Sequence, residues 1–323
     1  MALVTSSAEV ALRAGVSRST VSQILNGRGH LFTEETVARV RETAQSMGYR
    51  PSLAGRTLAR GRSDIVITLI PDITFGPPVR EFVDLLTEGL AKSGLTNLLR
   101  LSSSEQTLQD AIVGLRPHAI VAMAHLSPEE ASRLKDQGIQ VVGQSPAVQI
   151  AADRAIGRLQ AEHLQAKGYS RIVAVLPRSK REQINAPHRE AGVLEYSRLH
   201  NLDVLPTLKI DLNSEEAVRA VRTLPAGRVG LACYNDEVAL AMLGAARHVG
   251  LSVPGAVGVI GVDNSVIARA STPTITSVNM NLDLNVRELI SHIVSGQDLQ
   301  VPDGELDEYL RGLEVVPGDT TGR

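Results

Sequence analysis

The sequence predicts two architectures in one chain: an all-α helix-turn-helix headpiece, then a doubly wound α/β body. Three observations predict it. Residues 1–62 carry nine Arg and four Glu, a net of +5, while the remainder carries 24 basic and 31 acidic residues, a net of −7, within an overall −2. Three short segments of helical period, punctuated by glycine, fill the first 50 residues. From residue 63 onward, continuous apolar runs alternate with segments of helical period. A basic head on an acidic body is a head suited to a polyanion.

Composition narrows the classes. The chain has 323 residues, 43% hydrophobic and 21% charged, which allows a sizeable core and two or three domains. No apolar run reaches the ~18–20 residues of a membrane span. The N-terminus MALVTSSAEVALRAG lacks the basic-then-apolar pattern of a secretory signal, so no membrane partner is expected. Cys233 is the single cysteine, which excludes an internal disulfide and a multi-cysteine zinc site and points to a reducing, cytoplasmic compartment. Aromatics are 2% with no Trp, which counts against single-strand binders that stack bases on exposed rings.

The head is read in order. Ser6-x-x-Glu9 is a capping box opening the first helix, which buries Val10, Ala11 and Ala14 and stops at Gly15, a residue free to take positive φ. Ser17 caps a second helix through Leu25. Val21, Ile24 and Leu25 fall at i, i+3 and i+4 and form its inward stripe. Arg18, Ser19, Ser22 and Gln23 share the opposite face, and these are side-chain types that read base edges: Arg on guanine, Gln on adenine, Ser on either. A third helix starts at Thr33, buries Val37, Val40, Ala44 and Met47, and ends before Gly48. Two helices joined by a short glycine turn, with a polar outer face and +5 charge, predict a major-groove reader of double-stranded DNA.

Pro51 stops the third helix. Residues 51–62 are too short to be stably helical alone, and Gly55 disfavours helix by ~1 kcal/mol relative to Ala. In the body, strands are expected at residues 65–70, 96–101, 119–123, 140–143, 172–176, 229–233 and 257–262, with helices such as 81–92, 154–167 and 236–249 between them. Their continuous apolar character predicts parallel strands covered on both faces, with ligands beyond the strand carboxyl ends. No dinucleotide fingerprint, P-loop, nucleophile elbow or paired-His metal spacing is present. No catalytic residue, metal or cofactor is therefore assigned. His163 reads as a satisfied or solvated residue. The helix near residues 83–90 and the run 282–293 are candidate dimer surfaces, and the polar tail after Val316 carries no coiled-coil heptads.

Residues 10–27, VALRAGVSRSTVSQILNG, resemble the V-A-x-x-A-G-V-S-x-x-T-V-S-x-x-L-N-G headpiece of LacI/GalR-type repressors without a gap. Glu34-Glu35-Thr36 and Gly48-Tyr49-Arg50-Pro51 match the family's E-E-T and G-Y-x-P, with the intervening loop one residue longer than usual. The resemblance implies a headpiece over 1–50, a hinge over 51–62 that becomes helical when paired on DNA, and a two-lobed periplasmic-binding-protein-like effector and dimerisation domain over 63–323. It adds Ser6, Ser17, Thr20, Asn26 and His30 to the candidate DNA contacts. In the hinge it adds Arg56 and the minor-groove wedge Leu58. Ser52 and Gly55 replace the usual Asn and Ala there.

The body resembles the same family. Ile70-Pro71-Asp72-Ile73-Thr74 fits its first strand-to-loop element. Asp153 and Gly157 fit D-N-x-x-G with Arg154 in place of Asn, Arg189–Gly192 fits R-x-x-G, Asn235-Asp236 fits N-D, and Gly261–Asn264 fits G-x-D-[DN]. The resemblance implies a small polar or sugar-like effector held in the cleft between the lobes. The implied contacts are Asp72, Thr74, Phe75, Gln144, Asp153, Arg189, Tyr234, Asn235, Asp236 and Asp263. Arg189 offers a two-pronged donor set. Aromatics that stack on sugars in the family are replaced by Pro78 and Val79, and Phe75, Tyr196 and Tyr234 are the few that remain.

The expected function is that of a homodimeric transcriptional regulator, most readily a repressor, on a pseudo-palindromic operator. Two alternatives stay open at the level of sequence: a solute-binding protein of the periplasmic type without a DNA role, and a Rossmann-type enzyme.

Overall fold

The structure is a computed structural model and describes residues 5–49, 57, 61–70, 77–101, 114–123, 126–143, 146–179, 182, 185–296 and 312–322. Among the sequence-derived site residues, Arg56, Leu58, Asp72, Thr74, Phe75 and Gln144 lie outside the described residues. The chain divides into two compact units, one of residues 1–69, 90–121 and 126–141, the other of residues 70–89, 122–125 and 142–323.

The first unit opens with helices α1 (Ser7–Ala14), α2 (Arg18–Leu25) and α3 (Glu34–Ser46). The Ser6–Glu9 capping box is formed in both directions, and Gly15 closes α1 at φ 67°. Ser17 and Thr33 cap the next two helices by accepting from Thr20 N and Thr36 N. Val10, Ala11, Ala14, Val21, Ile24, Val40 and Ala44 form a core belonging to the head alone. Arg39 Nε donates to the Ala14 carbonyl at 3.1 Å, tying α3 to the end of α1. Met47, expected in the core, is the α3 C-cap and only packs on its edge.

The same unit contains a four-stranded sheet of order β2-β1-β3-β4, from β1 (Ile65–Ile70), β2 (Thr96–Leu101), β3 (Ala119–Ala122) and β4 (Gln140–Val142). Strand β1 is buried almost throughout. Strand β2 departs from the expectation of strands covered on both faces. It is the edge strand, and Leu98, Leu99 and Leu101 are 41%, 45% and 56% exposed. Helix α4 (Pro77–Lys92) precedes β2, and α5 (Pro128–Asp136) runs from its own Ser127–Glu130 capping box.

The second unit carries helices α6 (Pro146–Ala166), α7 (Ala186–Leu199), α8 (Ser214–Arg222), α9 (Asp236–His248), α10 (Val266–Ala270) and α11 (Leu282–Ser295). Its strands are β5 (Arg171–Pro177), β6 (Asp203–Val204), β7 (Leu208–Ile210), β8 (Val229–Cys233), β9 (Val257–Val262), β10 (Thr276–Asn279) and β11 (Glu314–Val316). The sheet order is β11-β10-β9-β8-β5-β6, with β7 also on β5. Strands β5 to β10 pair in parallel, and β11 lies antiparallel to β10. One core packs α8 and α9 on one sheet face, and another packs α6 and α7 on the opposite face. That is the doubly wound arrangement.

Val83, Leu86 and Leu90 of α4 and Val286 and Ile293 of α11 are buried within the chain, while Leu284 and Val294 of α11 are exposed. The polar tail packs onto the sheet of the second unit. Thr320 and Thr321 are buried, the Thr320 hydroxyl donates to the Val259 carbonyl at 2.6 Å, and Thr276 N donates to Thr320 Oγ1. His163 meets Thr321 Oγ1 at 2.9 Å and is thereby satisfied.

Helices α6 and α7 cross with backbones in near contact. A Cβ on Gly157 would stand 2.0 Å from the Arg189 carbonyl oxygen, and one on Gly192 would stand 2.0 Å from that of Arg154. Only glycine fits either place. Gly157→Ala and Gly192→Ala should each lower the unfolding free energy by about 3 kcal/mol. Gly244→Ala, where a Cβ meets nothing within 4 Å in helix α9, should raise it by about 0.5–1 kcal/mol. Urea titrations of the three variants read these opposite signs directly.

Candidate functional site

Helix α2 presents the first candidate site. Its buried stripe of Val21 and Ile24 fixes its rotation in the head, which leaves Arg18, Ser19 and Ser22 exposed and Gln23 half-buried. Its first turn contains no acidic residue. The positive end of the helix dipole and the Arg18 charge therefore act together there, an arrangement suited to phosphate. No hydrogen bond within the head occupies the side chains of Arg18, Ser19 or Gln23 among the described residues.

The other candidates on the head divide by what they already hold. Ser17 Oγ accepts from Thr20 N at 3.0 Å and meets Thr20 Oγ1 at 2.9 Å, so both hydroxyls serve the cap. Asn26 Nδ2 donates back to the Ser22 carbonyl at 2.7 Å and to Ser22 Oγ at 3.2 Å, while its Oδ1 is buried without a partner. Ser6 is engaged with Glu9. His30 is exposed on a 3₁₀ turn, Gly29–Leu31.

The second site lies in the second unit, where the glycine crossing brings α6 against α7. Arg189 Nε donates to Asp153 Oδ1 at 2.9 Å, and both side chains are buried. Gln149, one turn before Asp153 on α6, donates to its other oxygen at 3.1 Å. Arg189 Nη1 donates to the Tyr234 carbonyl at 2.5 Å, and its guanidinium lies over the Tyr234 ring, 4.5 Å from the centroid. Burial works against the Arg189 charge, but Asp153, then Tyr234 and Asp263, outweigh it, so its pKa is raised and it stays protonated.

Three of the sequence-derived candidates are already bonded within the protein. Arg189, expected to give the ligand a two-pronged donor set, has committed two donors and its face to the protein and is 7% exposed. Asp153, fully buried and bonded twice, holds Arg189 in place. Asp236, also fully buried, accepts from Ser265 N and from Ser277 Oγ, each at 2.7 Å, and so brackets the loop after β9 to β10. Gly261 is required beneath it, since a Cβ would stand 2.2 Å from Asp236 Oδ1. Asn235 Oδ1 caps α9 by accepting from Val238 N at 3.0 Å, a bond that does not use its amide nitrogen.

Asp263 is different. It follows β9 at φ 100°, and no donor reaches its carboxylate among the described residues. Burial raises its pKa to about 7 against the pull of Arg189, helped by Asp236, Glu237 and Glu182. Glu182 and Glu237 were not singled out by the sequence. Glu182 accepts from the Tyr234 hydroxyl at 2.9 Å, and Glu237 has its pKa raised, chiefly by burial. Gln149 was also missed, although its i−4 spacing from Asp153 on one helix face was a usable signal. Among the described residues no group of His, Cys, Asp and Glu is arranged to hold a metal ion, and no helix is long and apolar enough to cross a membrane.

Comparison with known proteins follows the same division. Residues 8–52 match the family described as bacterial regulatory proteins, lacI family, and residues 161–321 match the periplasmic binding protein-like domain. Catabolite control protein A of Priestia megaterium is 27% identical over 290 residues, covering 84% of this chain and 86% of that protein. The HTH-type transcriptional repressor PurR of Pectobacterium carotovorum is likewise 27% identical, covering 84% of each. Among solved structures, a Lac repressor dimer bound to operator and the anti-inducer ONPF superposes with a TM-score of 0.76 at 18% identity, covering 99% of both chains, a likeness of fold.

The raised acid has a stability consequence. The unfolded chain carries Asp263 near 3.8 and the folded chain near 7, so the folded state binds more protons between these values. The stability contributed by the protonated form is therefore lost as pH rises from 4 to 7. Asp263→Asn removes that loss. Its stability relative to wild type should rise through this window, by on the order of 4 kcal/mol at pH 8 compared with pH 4. Thermal melts at the two pH values test it; an identical difference at both contradicts it.

Proposed function

The chain belongs to the lacI family of bacterial regulatory proteins and is a DNA-binding transcriptional regulator, and from that premise we propose how it reads its operator and senses its effector. Helix α2 enters the major groove, with Arg18, Ser19 and Gln23 as the base readers and Ser22 beside them. Ser17, Thr20 and Asn26 hold the helix in shape and meet the backbone. Ser6 and His30 stand at the margins of the same contact, and Arg56 and Leu58 of the hinge complete it in the minor groove. The observation that carries this reading is the α2 face itself: three side chains with base-reading donors, free of internal bonds, over a stripe that fixes their direction.

The protein works as a homodimer, so that two copies of α2 meet the two halves of a pseudo-palindrome. The exposed leucines of edge strand β2 supply an apolar surface for the second copy. It acts in the cytoplasm as a repressor without enzymatic activity. The match of residues 8–52 to a DNA-binding family favours this over a solute-binding protein lacking a DNA role.

The effector, a sugar or another small polar metabolite, binds at the Arg189 cluster with Asn235, Tyr234 and Asp263 as its direct contacts. The resemblance adds Asp72, Thr74, Phe75 and Gln144 to these contacts. Operator and effector then act on one equilibrium, and each changes the affinity for the other by the same factor.

Arg18→Ala should cost about 1–3 kcal/mol of operator affinity and relax the preference at one base pair per half-site. Fluorescence anisotropy on an operator, with each base pair changed in turn, measures both effects. An unchanged base preference removes Arg18 from the reading face.

A further inference from the structure

We propose that His163 is a proton-operated latch on the tail: neutral, it holds residues 317–322 on the sheet of the second unit, and a proton on its Nε2 lets them go.

The tail follows β11 and lies across the entry to β10. Thr320 stands between two strands, its hydroxyl accepting from Thr276 N at 2.9 Å and donating to the Val259 carbonyl at 2.6 Å. Asp319 N and Thr320 N both donate to the Thr274 carbonyl. Gly318 rests against the backbone of residues 274–276, where a Cβ would stand 2.5 Å from the Thr274 carbonyl oxygen.

The last bonds of the tail run in a single chain that ends on the imidazole. Gly318 N donates to Thr276 Oγ1 at 3.0 Å, Thr276 Oγ1 meets Thr321 Oγ1 at 2.9 Å, and Thr321 Oγ1 meets His163 Nε2 at 2.9 Å. Both threonines are buried, and no other described residue reaches either hydroxyl. Each hydroxyl has one proton to give. With Nε2 as the acceptor, Thr276 gives to Thr321, Thr321 gives to His163, and both are satisfied. With a proton on Nε2 the imidazole donates instead. Thr321 must then give to Thr276, and the Thr276 proton is left buried without an acceptor, because the Gly318 amide offers only a donor. An unmade bond of this kind is costly in the interior, and letting the tail out to water relieves it. The chain therefore binds the neutral imidazole, with its proton on Nδ1.

The surrounding charges act in the same direction. Burial, then Lys167 one turn on along α6, lowers the His163 pKa from its ordinary 6.5. On the elements packed against it, Asp319 Oδ2 accepts from Thr274 Oγ1 at 2.8 Å and Glu314 of β11 accepts from Asn279 Nδ2 at 3.0 Å. Strands β9 and β10 carry no charged residue. Glu162, its neighbour on α6, acts on Tyr196 of α7, and Arg323 lies outside the described residues. The folded chain thus takes up this proton at a lower pH than the unfolded chain. The stability that the latch contributes is complete above 6.5 and is lost progressively as pH falls below it.

Hydrogen exchange of the full chain, read by mass spectrometry at pH 7.5 and pH 5 and corrected for intrinsic rates, tests the latch. Protection of residues 317–322 should fall at least about tenfold at pH 5, while a peptide over β5 keeps its protection. In His163→Gln, whose amide oxygen accepts at the place of Nε2 and does not titrate, the tail should stay protected at both pH values. In Arg323→Gln the fall should persist. Nitrogen-15 shifts of His163 in the wild-type chain decide the same point without a variant: at pH 7.5 the proton should be on Nδ1. Equal tail protection at both pH values, a fall that survives His163→Gln or vanishes in Arg323→Gln, or a neutral imidazole with its proton on Nε2 overturns the proposal.

Discussion

The buried ion pair between Asp153 and Arg189 is the interaction on which the second unit depends. Two charges are taken out of water, a step that costs several kcal/mol per ion unless geometry and further hydrogen bonds compensate. Here they do: Gln149 holds the second Asp153 oxygen, and the Tyr234 carbonyl and ring hold the guanidinium. The pair exists only because α6 and α7 approach within backbone contact at Gly157 and Gly192. Two glycines with no polar chemistry thereby decide where a charged site stands. The same pair links α6 and α7 to the carboxyl end of β8 through Tyr234, so helix packing and site geometry are one constraint.

The head follows a different logic. It has a small core of its own and little area to bury, and its helices are stabilised at their ends by Ser6, Ser17 and Thr33. Such caps contribute about 0.5–2 kcal/mol each, a large share for a domain this size. The cap residues are the reason that the outer face of α2 can be given over to polar side chains without loss of the helix. The +5 charge of the first 62 residues then acts at longer range, steering a generally acidic protein toward DNA by its basic end.

What was legible in the sequence was local. The extent of α2, its cap, its stripe and its outer face all depend on residues within one turn of each other, and they could be read without a partner. Strands β1, β8 and β9 were legible because each is a buried apolar run of five or six residues. Strands β6 and β7 are too short to carry a period, and β11 exists only through its pairing with β10. Helix α7 was hidden because its buried face includes Arg189, Gly192 and Ser197, so no apolar stripe announces it. Arg189, Asp263 and Asn235 were singled out through motif resemblance, but what each of them bonds to was not legible. Whether a carboxylate is committed to the protein, as in Asp153 and Asp236, or open, as in Asp263, is set by neighbours tens of residues away.

The most direct measurement is enrichment of binding sites from a random pool of DNA duplexes by the full-length chain, at low and moderate salt. The expected result is one consensus of two inverted half-sites, with affinity that falls steeply as salt rises. A pool that emerges unenriched, or binding that ignores salt, contradicts the assignment of α2 as a groove reader and leaves the chain with a ligand site alone.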